Sequence, residues 1–342
     1  MLRHQELFDP IERSAVMNTE EFTKYVEINK NHDGATDEGK IAKIKHSFYA
    51  SHPKADIVFL DDAWEFIFPR ILENPGLAQF ILDYKGAESE FFFPWLVSVY
   101  KSPSRALEMA YGAGDDLMGR WITDIADTDD YIVPFVRNDP TFVYNRERQL
   151  YVANLATTIQ ARSKSKVVDF GAGRLAWIRW HGFKIKPLRQ SIYAFDSDPS
   201  IKPEELFEDM PELGIKFKHG DLSAQLMNSD CYSADLVILG GVASYIPLDV
   251  FSQKIIPAIY GLLQNQGVFF FDYQIDCPYL RRSMSIFSWP EMHLFEDAPS
   301  CISTVETFRK SLWDKGLKFS AEYAVDTYNK FPSAVMITLQ KL

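Results

Sequence analysis

Short apolar runs alternate with longer segments of mixed polarity through the second half of the chain. The first run, K-V-V-D-F at 166–170, is rich in β-forming residues around a single acid. Four further runs follow it, at 191–195, 215–218, 234–239 and 267–272. A helical stretch, I-I-P-A-I-Y-G-L-L at 255–263, precedes the last of them. Strands that alternate with helices predict an α/β fold, with a doubly wound, mostly parallel sheet covered on both faces.

The end of the chain has a different pattern. Residues 318–325 and 334–339 form two apolar runs joined by a short polar loop, which predicts a terminal hairpin of two strands. Between the fifth strand and a helix expected to begin near Thr304 lies a long segment, 275–303, with several aromatic and basic side chains. Because this connection is longer than usual, we expect an insertion above the carboxyl edge of the sheet.

The first half of the chain is predicted to be mainly helical. Prolines separate several segments with apolar residues at helical spacing, at 41–49, 61–72, 76–84 and 91–100. The change in pattern predicts a helical N-terminal region at 1–148, followed by a sheet domain at 149–342. The helical region is expected to act as a lid over the carboxyl edge or as a dimerisation element, which would make the protein a homodimer. The residues leave both alternatives open.

Composition narrows the range of partners. The 342 residues carry a formal net charge of −11, and no long cluster of lysine and arginine occurs. Nucleic acid is therefore not an expected partner, because phosphate neutralisation needs a basic stripe. Three scattered cysteines without Cys-X-X-Cys spacing indicate neither a disulfide framework nor a metal site. The sequence has no apolar signal core and no apolar run of about eighteen residues, so we expect a cytoplasmic protein without a membrane partner.

The first strand runs into a glycine turn, D-F-G-A-G-R-L at 169–175, which is the most informative motif of the chain. Gly171 and Gly173 let the backbone turn sharply and approach a ligand closely. Asp196 ends the second strand, where a carboxylate can accept from both hydroxyls of a ribose. A further acid, Asp221, follows the third strand in H-G-D-L. Together these residues predict a nucleotide site at the carboxyl edge of the sheet.

The order and spacing of these motifs resemble those of the class I S-adenosylmethionine-dependent methyltransferases, over roughly 150–342. The motifs are D-F-G-A-G, A-F-D-S-D-P, H-G-D-L and A-D-L-V-I-L-G-G-V. The family also shows a terminal hairpin of this kind, which inserts an antiparallel strand into the parallel sheet. The resemblance implies a Rossmann-like fold and S-adenosyl-L-methionine as the cofactor. The residues that it places at the cofactor are Asp169, Gly171, Ala172, Gly173, Asp196, Ser197, Asp221, Leu222, Gly240 and Gly241. The chain departs from the family at Leu175, where many members have glycine or a small residue.

Methyl transfer needs few catalytic groups, because the sulfonium is already activated. The protein chiefly has to hold the nucleophile in line with the methyl carbon. The resemblance implies methyl transfer to a small-molecule acceptor that is amino-acid-like or a natural-product precursor. Asp139 and Tyr144 lie in the aromatic segment before the sheet, where they could face a cation by charge or by a π face. Ser244 and Tyr245 follow the glycines after the fourth strand, where this fold places the substrate. These four residues are the catalytic candidates.

Three other functions stay open. Attack on Cγ of S-adenosylmethionine would release methylthioadenosine, either by aminocarboxypropyl transfer to another amine or by cyclisation to azetidine-2-carboxylate. A non-catalytic protein could keep the nucleotide site as a partner-regulating subunit. A nicotinamide dehydrogenase would share the glycine turn and Asp196, but it would not account for Gly220-Asp221-Leu222 or for the hairpin.

Overall fold

The computed structural model describes part of the chain. The described residues are 77, 81, 140–160, 165–173, 175, 177–178, 191–199, 201–203, 215–222, 226, 233–277, 280–281, 284, 292–325 and 333–342. The predicted lid or dimerisation element therefore lies almost entirely outside the described residues. Of the chain before Pro140, the structure describes Leu77 and Ile81, both buried.

Seven strands form one sheet in the described part of the chain. They are β1 (Lys166–Phe170), β2 (Ser191–Asp196), β3 (Ile215–His219), β4 (Ala234–Leu239), β5 (Leu263–Gln274), β6 (Phe319–Val325) and β7 (Ala334–Lys341). Their order is β3-β2-β1-β4-β5-β7-β6. Neighbours from β3 to β5 pair in parallel, whereas β7 is antiparallel to both β5 and β6. The predicted mostly parallel sheet with a reversed C-terminal strand is confirmed.

Three longer helices are described beside this sheet. They are α1 (Pro140–Gln160), α2 (Ile256–Leu262) and α3 (Ala298–Asp314). A short helical segment, Leu248–Val250, and a π-helical turn, Phe251–Ile255, lead into α2. Helix α1 passes without interruption through residue 148, so the boundary predicted between 148 and 149 falls inside one helix. The division into two domains stays a prediction.

The start of α3 corrects the sequence analysis. The helix begins at Ala298 and not near Thr304, because Asp297 is an effective N-cap. Its carboxylate accepts from the Ser300 N–H at 2.7 Å, and the Ser300 hydroxyl pairs with the backbone of Asp297. Asp297 followed by Pro299 is a recognisable helix start that the apolar periodicity did not reveal. The predicted insertion, 275–303, is shorter than expected by this first turn and a half.

Two apolar layers cover the sheet, because side chains of consecutive strand residues point to opposite faces. In β4, Leu236 and Ile238 pack with residues of α1, whereas Val237 and Leu239 pack with residues of α2 and α3. The other central strands alternate in the same way, and burial of each large apolar side chain contributes about 1.5–3 kcal/mol. The doubly wound prediction is confirmed.

The chain divides into two compact units. All strands and helices named above belong to the unit formed by Ser102–Asp124, Phe135–Arg281 and Pro290–Leu342. Within the described ranges, no helix is long and apolar enough to cross a membrane.

Candidate functional site

The glycine turn after β1 is tied to the end of β2 by backbone hydrogen bonds. The N–H groups of Gly171 and Ala172 donate to the carbonyl of Phe195 at 2.8 and 3.0 Å. Gly171 and Gly173 have φ of +69° and +52°, which lie in the left-handed region that glycine adopts without a steric cost. A Cβ at Gly171 would also clash with Val242, which follows β4. The turn therefore packs closely against the ends of both neighbouring strands.

Asp196, the predicted ribose acid, is oriented by this turn. Its Oδ2 accepts from the Gly173 N–H at 2.7 Å, and its Oδ1 accepts from the Asp198 N–H at 2.8 Å. Burial raises the pKa of Asp196, while the hydrogen bonds from Asp198 and Gly173 oppose the rise. A carboxylate offers about four acceptor sites, so these two bonds leave capacity for a ligand diol. Ser197, beside it, is exposed.

The end of β3 joins the same edge. The Gly220 N–H donates to the carbonyl of Asp196 at 2.9 Å, so the third strand end is held against the second. Asp221 is exposed, whereas Leu222 is partly buried and packs against the apolar layer that contains α2 and α3. The structure thus brings the glycine turn, Asp196 and the third predicted motif together on one edge.

Asp169 is a buried acid in β1 beneath the glycine turn. It is 3% exposed, and its Oδ2 accepts from Nε1 of Trp177 at 2.8 Å. Burial raises the pKa of Asp169 to about 7, and the charge of Asp196 adds to the rise. The Trp177 hydrogen bond and the charge of Arg148 act in the opposite direction. Near neutral pH this carboxyl is therefore poised between its neutral and charged forms.

Leu175, the departure from the family pattern, has the backbone conformation of a glycine. Its φ is +54°, and its side chain is 1% exposed. The Leu175 N–H donates to the carbonyl of Ala172 at 2.9 Å, and its own carbonyl accepts from Ile178 at 3.0 Å. The turn therefore keeps a left-handed residue at this position but places a large apolar side chain there.

The Gly240-Gly241 turn after β4 contacts two residues that the sequence analysis missed, Arg148 and Asp272. The Gly241 N–H donates to Oδ1 of Asp272 at 2.6 Å. A Cβ at Gly241, where φ is +76°, would lie 2.6 Å from Nη1 of Arg148. Part of the space that these glycines leave at the carboxyl edge is therefore filled by a guanidinium from α1.

Tyr144, a predicted catalytic residue, belongs to the same network. It is fully buried, and its hydroxyl donates to Oδ2 of Asp272 at 2.5 Å. Nη1 of Arg148 lies 3.3 Å from the same oxygen, and the guanidinium carbon lies 5.8 Å from the centre of the Tyr144 ring. Asp139, the neighbouring candidate, lies outside the described residues, so its role stays a prediction.

Ser244 and Tyr245, the other two catalytic candidates, have different environments. Ser244 is 3% exposed, its hydroxyl oxygen accepts from the Gln274 N–H at 3.2 Å, and its carbonyl accepts from the His293 N–H at 2.7 Å. Tyr245 is 41% exposed, and partial burial raises the pKa of its hydroxyl. The charge of Arg148 opposes this rise, so the phenol lies within the field of the Arg148–Asp272 pair. Of these two side chains, Tyr245 is the one that a ligand can reach from solvent.

Part of the predicted insertion, 275–303, borders this edge, because the His293 N–H donates to the Ser244 carbonyl at 2.7 Å. His293 is exposed, its ring lies 4.7 Å from that of Phe295, and partial burial lowers its pKa. Arg281 pairs through two nitrogens with Asp276. In the described ranges, no cluster of histidine, cysteine, aspartate and glutamate is arranged to hold a metal.

No protein-family model matches the chain, and no curated protein matches it. Several solved structures are similar at low identity. A possible exported protein from Bordetella parapertussis is 12% identical, with 90% of this chain and 97% of that chain covered and a TM-score of 0.47. The CurJ carbon methyltransferase is 12% identical, with 72% and 70% covered and a TM-score of 0.43.

A magnesium protoporphyrin IX methyltransferase from Synechocystis PCC 6803, with bound SAH, is 15% identical. That comparison covers 66% of this chain and 97% of the other, with a TM-score of 0.42. These values are too low to carry an argument about function. The fold assignment rests on the strand order, and the functional argument rests on the residues of the carboxyl edge.

Proposed function

We propose that this chain is an S-adenosylmethionine-dependent transferase that moves a methyl group to a small-molecule acceptor. The observation that carries the proposal is the fixed Asp196 carboxylate, which the Gly173 N–H holds at 2.7 Å at the end of β2. It lies beside a close-packed glycine turn, in a sheet whose seventh strand is reversed. The motifs resemble those of the class I methyltransferases at these same positions.

The described residues fit this cofactor. Asp196 would accept from the two ribose hydroxyls, and the exposed Asp221 would accept from the adenine amino group. A Cβ at Gly173 would meet no described atom within 4 Å, so this position of the glycine turn would leave room for the ligand. Asp169 lies buried below the turn with a raised pKa, and a cationic part of the ligand beside it would favour its charged form.

S-adenosylmethionine supplies a methyl group on a sulfonium, so the protein has to bind, orient and exclude water. Tyr245 and Ser244 follow β4 at the acceptor side, and the phenol of Tyr245 is reachable there. Asp139 and Tyr144 stay proposed residues of the acceptor side. An acceptor that arrives protonated would need a base, and an exposed histidine, His293, borders this side through its N–H bond to the Ser244 carbonyl.

Calorimetric titration tests the cofactor. We expect binding of S-adenosylmethionine and no binding of NAD. Asp221→Ala should weaken the affinity for S-adenosylmethionine, because this reading alone places Asp221 at the adenine amino group. Asp235→Ala is the matched control, since Asp235 accepts from the Lys166 N–H at the opposite edge of the sheet. Unaltered affinity in Asp221→Ala, or binding of NAD by the unmodified protein, would contradict the proposal.

A product assay tests the group that is transferred. Methyl transfer requires S-adenosylhomocysteine to appear only when an acceptor is present. A second candidate is attack on Cγ, which we keep because Leu175 stands where many members of the family have glycine or a small residue. That reaction would release methylthioadenosine, and its release from S-adenosylmethionine alone would overturn methyl transfer. Binding without either product would indicate a non-catalytic subunit. A small-molecule acceptor, a homodimer and a cytoplasmic location stay proposals as well.

A further inference from the structure

Asp272 contacts two walls of the carboxyl edge, which are the Gly240-Gly241 turn after β4 and the part of α1 that carries Tyr144 and Arg148. It is the tenth residue of β5, and its side chain is fully buried. Oδ1 accepts from the Gly241 N–H at 2.6 Å, which holds the turn after β4. Oδ2 accepts from the Tyr144 hydroxyl and lies 3.3 Å from Nη1 of Arg148, which holds α1. Each oxygen therefore serves a different element of the fold.

The second contact between these elements is steric. Arg148 is 4% exposed, and its guanidinium lies over Gly241 so closely that a Cβ there would be 2.6 Å from Nη1 and 3.0 Å from the central carbon. The distance between α1 and the glycine turn is therefore set by the arginine on one side and by the carboxylate on the other. A displacement of either wall would break bonds that the other wall shares.

The free-energy cost of burying the Arg148–Asp272 ion pair favours a role for the pair beyond stabilising the fold. Burial of a charged pair costs several kcal/mol per ion before pairing, and apolar residues of similar volume often stabilise a fold at least as well. This pair lies directly against the turn after β4, because Oδ1 of Asp272 accepts from the Gly241 N–H. A polar network at this place is better explained by the need for a fixed geometry than by the need for a stable core.

We propose that Asp272 is a positioning residue of the ligand site, which fixes the Gly240-Gly241 turn relative to Tyr144 and Arg148 of α1. The proposal deepens the proposed function and rests on it for the choice of ligand. It predicts that ligand affinity depends on the charge of Asp272, although Asp272 itself does not have to touch the ligand.

Asp272→Asn tests this prediction with almost no change in shape. The amide keeps one acceptor oxygen, but its NH2 group then faces the Tyr144 hydroxyl and the Arg148 guanidinium, and Arg148 loses its counter-charge. With S-adenosylhomocysteine as the probe, we expect Kd to rise by about tenfold or more. Tyr144→Phe removes one hydrogen bond and keeps the charge, so it should raise Kd by a smaller factor, about two- to fivefold. Asp235→Asn is the control and should leave Kd unchanged.

Hydrogen exchange gives a readout that does not depend on the ligand. Asp272→Asn should accelerate exchange both at 240–245 and at 144–148, while the control Asp235→Asn should leave both segments unchanged. Acceleration in only one segment would overturn the positioning role, because the two walls would then be independent. An unchanged Kd in Asp272→Asn would overturn it as well. If the unmodified protein does not bind S-adenosylhomocysteine, the proposed function fails, and the exchange result still decides the coupling of the two walls.

Discussion

Replacing Leu175 with glycine should damage the protein less than replacing it with alanine, although glycine removes more atoms. Leu175 has φ of +54° and is 1% exposed, so it carries a backbone cost and an apolar gain at once. A non-glycine residue in the left-handed region costs about 1–2 kcal/mol, which glycine avoids. Both substitutions lose most of the buried side chain, which costs about 2.7–5 kcal/mol for leucine to alanine.

A second buried leucine supplies the matched comparison. Leu236 lies in β4 and is fully buried, and it is not among the described residues with positive φ. There, glycine should be worse than alanine by about 0.5–1 kcal/mol, because glycine loses more conformational freedom on folding. At each position we take the free energy of unfolding of the glycine variant minus that of the alanine variant. The value at Leu175 minus the value at Leu236 gives the cost of a left-handed backbone in a non-glycine residue, about 1–2 kcal/mol.

Denaturant unfolding measures these differences from the shift in midpoint at constant slope. We expect the order of the glycine and alanine variants to be reversed, or at least equalised, at Leu175 relative to Leu236. If glycine is worse than alanine by the same amount at both positions, the left-handed backbone at Leu175 contributes no strain and the reasoning is wrong.

Three further predictions concern polar side chains of the described residues. Tyr273→Phe should be neutral or stabilising, because the buried Tyr273 hydroxyl has no hydrogen-bond partner in the described part of the chain. Tyr144→Phe should lower the free energy of unfolding by about 1.5–3 kcal/mol, because it removes a hydrogen bond to Asp272. Thermal unfolding of both variants checks the contrast. The pKa of Asp169 in the folded protein, about 7, lies above its value in the unfolded chain. Its contribution to the free energy of unfolding is therefore fully present below about pH 4 and is lost as pH rises to about 7, because the unfolded chain releases the proton first. Asp169→Asn should therefore gain stability relative to the unmodified protein by at most about 1.4 kcal/mol per pH unit over this window, and a parallel pH profile of the two proteins would contradict the assignment. Lys341→Met should cost about 1–2 kcal/mol in denaturant unfolding, because Nζ donates to the carbonyls of Tyr260 and Leu263 at the end of α2, and an unchanged midpoint would count against this capping role.

The sequence predicts the sheet well because its strands are short apolar runs with clear ends. The fourth strand is observed at the predicted residues, Ala234–Leu239, and the reversal of β7 follows from the terminal hairpin. The fifth strand is less well predicted, since it begins at Leu263 and not at Gly267. Its first residues include Gln266 with φ of +65° and a register shift against β4, and such irregular polar residues have no period-2 pattern to detect.

The candidate site is predicted where backbone and local chemistry determine it. Gly171, Gly173 and Asp196 are brought together as expected, because hydrogen bonds between adjacent strand ends follow from the strand order. The Arg148–Asp272 contact is missed because it joins residues 124 positions apart on a helix and a strand. A small residue at a strand end indicates that something approaches closely, but the pattern alone does not distinguish a ligand from an arginine of the same chain.

Two kinds of contact hold the carboxyl edge together, and they should differ in how well they tolerate substitutions. At the ends of β1, β2 and β3, main-chain groups make most of the contacts, with the Asp196 side chain as the link. At the ends of β4 and β5, a buried side-chain network centred on Asp272 makes them. Backbone contacts tolerate changes in neighbouring side chains, whereas a buried charge that loses one partner is strongly destabilised. Substitutions should thus be tolerated more readily at the exposed Tyr245 than at Tyr144, Arg148 or Asp272, because the last three make the buried hydrogen bonds of this network.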